Sequence, residues 1–284
     1  MNLAIVIDST CDLDATELSS IGVERVPLYV NFQGKMHKDW LDITPADIIA
    51  GVAQGADLPT TSQPSPQDFS EVYAKVAAAG ADRILTICIT SELSGTYQSA
   101  TLAAESASVP VTVFDSRAAS LGHGEMARAA AALRDRGASL DDILAALTTI
   151  RDTNFVLFTV GTMEYLQKGG RIGRASAMLG SLLNIKPILT LEDGRIAPLS
   201  RARGTKKAQQ EMVDRFKAYV EASKGPVVAN LIHIQDQTAA TGLRQAIDAA
   251  GIAYTVNGVH EIGAVIGSHV GPNTFGIYAH QAVL

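Results

Sequence analysis

The sequence predicts an α/β protein organised as two domains. Short β-branched runs alternate with longer Ala-rich amphipathic stretches along the chain, the pattern of strands covered by helices. Its 284 residues exceed one average domain and suit two. A composition of 47% apolar and 18% charged residues fills a large core and argues against disorder.

Leu3–Ile7, an apolar run closed by Asp8, is the first expected strand, and Arg25–Val30 is the second. Helices follow at Pro45–Gln54 and Pro66–Ala79. Thr44-Pro45 and Ser65-Pro66 each set a cap residue before a proline at the first helical position, where the missing N–H has no intrahelical partner to lose. Strand Ile84–Thr90 leads into helix Thr96–Glu105, and strand Val111–Phe114 into helices Gly122–Arg136 and Leu140–Arg151. Ser139-Leu-Asp-Asp142 opens the last of these as a capping-box variant, with Asp where Glu or Gln is preferred. Two consecutive helices end near Asp152–Asn154 and a strand begins. The boundary is set there, giving an N-terminal domain of residues 1–153 and a C-terminal domain of residues 154–284. The second domain is expected to hold strands Phe155–Val160, Pro187–Leu191, Val227–Ile234, Tyr254–Val259 and Phe275–Tyr278. Its expected helices are Ala175–Leu183, Lys206–Ala222 and Thr238–Ala250.

Composition excludes several function classes. A net charge of −6 disfavours non-specific nucleic-acid binding, which needs a basic surface. The two cysteines, Cys11 and Cys88, form no CxxC pair, and the six histidines show no HExxH or paired spacing, so no metal is expected. The N-terminus carries no basic segment and reaches an acid at Asp8, so neither a signal peptide nor a membrane span is expected and the default compartment is the cytoplasm. There is no GxSxG elbow and no GxxxxGK[ST] phosphate loop. Ser9-Thr10-Cys11, rather than GxGxxG, follows the first strand, so no dinucleotide cofactor is indicated.

Five constellations remain. Thr60-Thr61-Ser62-Gln63-Pro64-Ser65-Pro66 reads as a rigid hydroxyl-rich loop that aims donors at an anion, or as a well-capped helix start. Ser91-Glu-Leu-Ser94-Gly95-Thr96 joins an apolar strand to a helix N-terminus. Its hydroxyls, a glycine permitting close approach and the helix dipole suit a carboxylate or phosphate, against the plainer reading of a strand–helix turn. Lys168-Gly-Gly-Arg171-Ile-Gly-Arg174 places three cations in a glycine-rich loop, a candidate for phosphates or an acidic partner face, or a solvated turn. Arg201-Ala-Arg203-Gly-Thr-Lys-Lys207 puts cations ahead of a helix, against its dipole. Gly267-Ser-His269-Val-Gly-Pro-Asn273 sets a histidine among glycines in an expected turn. Together they offer donors to an anion and no nucleophile–base pair in sequence.

Six motifs occur in order: Asp8-Ser-Thr-Cys-Asp-Leu13, Thr61-Ser-Gln-Pro64, Leu93-Ser-Gly-Thr-Tyr-Gln-Ser-Ala100, Asp115-Ser116 with Gly122, Lys168-Gly-Gly-Arg-Ile-Gly173 and Gly267-Ser-His-Val-Gly-Pro272. On these the chain resembles the DegV family of bacterial fatty-acid-binding proteins, the lipid-binding subunits of fatty acid kinase. The resemblance implies a two-domain α/β fold with a lipid tunnel between the domains and one long-chain fatty acid inside. It implies a carboxylate held by Thr61, Ser62 and Ser94, with Gly95 and Thr96 beside them, and with His269 and an arginine, Arg203 or alternatively Arg201, in support. Tunnel walls are expected from Ala175–Leu189 and Val259–Ile266. The implied partner is a separate ATP-binding kinase subunit that phosphorylates the carboxylate to an acyl phosphate for phospholipid synthesis, with Lys168, Arg171 and Arg174 as the docking surface. Such a carrier is not itself an enzyme, needs no cofactor, and would exchange lipid transiently with a membrane. Two other classes compete: a stand-alone phosphotransferase or hydrolase using His269 with Ser94, and a regulatory protein whose lipid is structural. Asn273 departs from the family, which often carries glycine there.

Overall fold

The computed structural model describes residues 2–178 and 185–284. It divides into two compact units, one of Met1–Thr44, Pro59–Asp152 and Val283–Leu284, the other of Pro45–Leu58 and Thr153–Ala282. Both mix strands and helices, as the alternation along the chain predicts.

Up to residue 152 the strands are β1 (Leu3–Asp8), β2 (Val23–Val26), β3 (Tyr29–Phe32), β4 (Lys35–Lys38), β5 (Thr60–Ser62), β6 (Arg83–Cys88) and β7 (Val111–Asp115). The helices there are α1 (Ala15–Ser20), α2 (Pro45–Ala53), α3 (Pro66–Ala78), α4 (Thr96–Ala104), α5 (Leu121–Asp135) and α6 (Leu140–Asp152); of these α2 packs with the second unit. In the first unit, β2-β1-β6-β7 form a parallel sheet. Alternation along its strands serves both faces. Val6, Ile84 and Cys88 pack with Phe69, Tyr73 and Val76 of α3 and Ala100 and Ala103 of α4. Ile5, Ile7, Leu85 and Ile87, equally buried, turn to the α5 side. A second, antiparallel sheet has the order β4-β3-β5.

The Arg25–Val30 run does not form one strand. Pro27 sits inside it; lacking an N–H, it ends β2 and the chain restarts as β3. The expected caps do form. Ser65 and Asp68 make a reciprocal capping box at α3, and Ser139 and Asp142 exchange hydrogen bonds at α6.

In the second unit the strands are β8 (Phe155–Thr159), β9 (Ile185–Glu192), β10 (Arg195–Arg203), β11 (Val227–Ile234), β12 (Thr255–Glu261) and β13 (Thr274–Gln281). The helices are α7 (Glu164–Lys168), α8 (Thr205–Ala222), α9 (Gln237–Ala249) and α10 (Ala264–Val270). One mixed sheet has the order β10-β9-β8-β13-β11-β12. Leu157, Ile188, Ala229, Leu231, Phe275 and Ile277 project from one face onto Met212, Phe216, Leu243 and Ile247 of α8 and α9. The arginines ahead of α8, read from sequence as a charge run, are part of strand β10. Of the expected helix Ala175–Leu183, residues 173–178 form 3-10 turns, and residues 179–184 lie outside the described residues, as does that part of the expected tunnel wall. No helix among the described residues is long and apolar enough to cross a membrane.

Candidate functional site

The parallel sheet of the first unit has a topological switch point. From β1 the chain goes to β2 on one side, while β6 lies on the other. Open α/β sheets bind ligands at the carboxyl ends of the strands flanking such a point. The segment leaving β6 is the Ser91–Thr96 motif. Its amides turn tightly, with Leu93 N and Ser94 N both donating to Thr90 O at 3.1 and 3.3 Å. The Ser94 and Thr96 hydroxyls stand 2.8 Å apart. Gly95 is the N-cap of α4 and has no side chain to satisfy the first helical N–H groups. Paired hydroxyls and an uncapped helix N-terminus are groups that can donate to an anion.

The absence of a side chain at residue 95 has a packing cause. A Cβ on Gly95 would collide with the Gln63 amide, which also donates from Nε2 to Ser99 Oγ at 3.1 Å. The Thr61-Ser-Gln-Pro64 and Leu93–Ala100 motifs are therefore locked together within one unit. Thr60–Ser62 is a strand rather than a loop, and this separates its hydroxyls. Val30 stands opposite Thr61 and Tyr29 opposite Ser62, so neighbouring side chains point to opposite faces. Ser62 Oγ accepts from Asn31 Nδ2 at 3.3 Å on the Tyr29 face. Thr61 and Ser62 therefore present their hydroxyls on opposite faces of β5.

In the second unit the Lys168–Gly173 and Gly267–Pro272 motifs interlock. His269 lies in the last turn of helix α10, not in an irregular turn as its flanking glycines suggest. A Cβ on Gly169 would collide with His269 Nδ1, one on Gly271 would meet the Tyr165 ring at 2.6 Å, and one on Gly161 would meet Pro272 O at 2.6 Å. Gly271 also needs φ of 72° to end the helix. Asn273 adopts φ of 57°, the left-handed conformation that Asn tolerates best after Gly. Burial, with the Arg171 guanidinium nearby, depresses the His269 pKa to about 4. The imidazole is neutral near pH 7 and serves as a hydrogen-bonding group rather than a fixed charge.

The three cations proposed for partner docking are engaged within their unit. Lys168 pairs with Glu164 at 2.8 Å and Arg174 with Glu192 at 2.8 Å, both exposed. Arg171 donates from Nη1 to Gly169 O at 2.8 Å, beside His269. Arg201 and Arg203 sit on one exposed face of β10, on either side of buried Ala202. The cation next to the histidine is thus Arg171, which sequence reasoning assigned to docking; only the packing of Gly169 against His269 reveals it. Among the described residues, no group of three or more His, Cys, Asp or Glu side chains is disposed to hold a metal ion.

A buried polar cluster beneath the switch point had no assigned role. Asp8 Oδ1 accepts from Thr10 N at 3.0 Å and Thr10 Oγ1 at 2.5 Å, and lies 3.4 Å from His123 Nε2; its Oδ2 accepts from Ile89 N at 2.6 Å. Burial alone would raise the carboxyl pKa, but His123, Thr10 and Ile89 outweigh it and hold Asp8 below the usual range.

Comparison with known proteins identifies the family. The family profile described as "Uncharacterised protein, DegV family" matches residues 2–281. A solved DegV family protein from Thermus thermophilus, described as fatty acid binding, is 47% identical, with a TM-score of 0.95 over 99% of this chain and 100% of that one. A solved structure described as a stearic acid-binding protein, from Eubacterium ventriosum, is 25% identical, with a TM-score of 0.89 over 98% of each chain. A Thermotoga maritima relative named fatty acid-binding protein is 32% identical over 97% of this chain and 96% of its own. With the profile spanning nearly the whole sequence and both units folded as in these proteins, the chain belongs to the DegV family.

Proposed function

We propose that this protein binds one long-chain fatty acid and presents its carboxylate to a separate ATP-dependent kinase subunit, which forms the acyl phosphate used in phospholipid synthesis. The observation that carries the reading is the Ser94–Thr96 hydroxyl pair at the uncapped start of α4, tied by Gln63 to the Thr61 strand. Fatty acid binding by its relatives supplies the ligand class.

The energetics suit such a ligand. A tail of about sixteen carbons gains on the order of 10 kcal/mol at roughly 0.8 kcal/mol per buried CH₂, before ordering costs. An isolated carboxylate would oppose burial strongly, so donors at the head are required. In our reading Thr61, Ser94, Thr96 and the Gly95 amide region supply them. His269 and Arg203, on the second unit, stay proposed ligand-binding residues on the strength of the family resemblance alone. Hydroxyls satisfy the head group without a tight guanidinium fork that would compete with phosphoryl transfer. Lys168, Arg171 and Arg174 remain the proposed contacts for the kinase. The protein works in the cytoplasm and exchanges lipid transiently with membranes.

The test has two arms. Stearate binding should weaken by about tenfold in Thr61→Ala and Ser94→Ala, while Ser62→Ala stays near the parent. Lipid-loaded protein mixed with a DegV-dependent kinase subunit and ATP should yield acyl phosphate. Turnover by this chain alone would favour the enzyme reading, and no product with any such kinase would favour a structural lipid.

A further inference from the structure

The buried cluster at the end of β1 lies directly under the loop that carries Ser94. The Asp8 carboxylate collects hydrogen bonds from separate segments: the 3-10 turn Ser9–Cys11, the Ile89 amide at the end of β6 and, at longer range, His123 of α5. Ile89 is the first residue of the Ser94 loop. The next residue, Thr90, is held through its N–H by Ala118 O at 2.9 Å. The segment that supplies Ala118 is strained. Arg117 and Ser120 have φ of 50° and 55°, and the Ser120 hydroxyl donates to Asp12 Oδ2 at 2.5 Å, Asp12 itself having φ of 54°. Non-glycine residues in the left-handed region cost energy and persist where surrounding structure fixes them. Two consecutive residues where the loop leaves β6 are thus anchored, Ile89 by a buried carboxylate and Thr90 by a strained turn.

Packing alone does not call for an ionised group here. Asn has the shape of Asp and avoids the cost of burying charge, but its NH₂ would face the donors that converge on Asp8. His123 is fully buried, and its Nδ1 has no hydrogen-bond partner among the described residues. The Nε2 atom is the one that faces Asp8, at 3.4 Å.

We infer that Asp8 is a positioning residue for fatty-acid binding: by fixing the Ile89 amide it sets where the Ser94 and Thr96 hydroxyls stand. This rests on the assignment of the Ser94 loop to the carboxylate. In full-length Asp8→Asn, amide hydrogen exchange across Ile89–Thr96 should quicken by about tenfold and stearate affinity should fall by about tenfold. Val76→Ala, a core change in the same unit, should lower the melting temperature while leaving stearate affinity and loop exchange at parent levels, which separates positioning from general destabilisation. Should Asp8→Asn fail to fold, Thr10→Val, which removes one hydroxyl donor, is read in the same way with smaller shifts. Unchanged loop exchange and affinity within about twofold of the parent would overturn the inference. Parent-like affinity in Ser94→Ala would instead overturn the head-group assignment, while exchange in Asp8→Asn would still report whether the carboxylate fixes the loop.

Discussion

His269 makes a direct prediction about protonation. Its pKa in the fold is about 4 against an ordinary value of 6.5, because burial and then Arg171 disfavour the imidazolium. Well above pH 6.5 neither the folded nor the unfolded chain holds the proton. As pH falls from there toward about 4, the unfolded chain takes it up first, so stability is lost across that window, by up to roughly 3 kcal/mol. An imidazole resonance that stays neutral to about pH 5 in an NMR titration is the expected result. His269→Gln should flatten the acid limb of the stability curve. At this scale the sequence supplied candidate residues without orientation. Thr61 and Ser62 look equivalent as neighbouring hydroxyls, and only their strand register shows that they face opposite ways. Arg171 looks like the other loop cations until Gly169 brings it against His269.

Elements with strong local chemistry were legible in the sequence. The Ser65–Asp68 and Ser139–Asp142 boxes mark helix starts because they satisfy orphan N–H groups locally. Ser65→Ala should cost about 1 kcal/mol of stability in chemical denaturation with no change in stearate binding. Elements that depend on tertiary partners were not legible. Strand β5 consists of polar Thr60–Ser62 and exists through pairing with β3. Strand β10 carries Pro198 and exposed arginines, tolerated at a sheet edge. A local signal for it was nevertheless present. Asp193-Gly194, with φ of 50° and 78°, is the two-residue turn joining β9 to β10, an Asp-Gly hairpin signal. Gly95→Ala tests the locked pair of loops. It should displace Gln63, weaken stearate binding by about tenfold and leave the second unit's melting behaviour unchanged.

For the molecule as a whole, alternation of strands and helices sufficed for an α/β fold, and six ordered motifs sufficed for the family. Composition could not identify the ligand, because hydroxyls, glycines and cations serve any anion. Relatives in the DegV family are described as fatty acid binding, and the proposed ligand class rests on them. The central claim is that this chain carries one long-chain fatty acid. Its most direct test is native mass spectrometry of the purified protein, followed by organic extraction and analysis of the released lipid. The account predicts one long-chain fatty acid per chain, with occupancy reduced in Ser94→Ala. Folded protein that repeatedly yields no fatty acid, and takes up none when stearate is added, would contradict it.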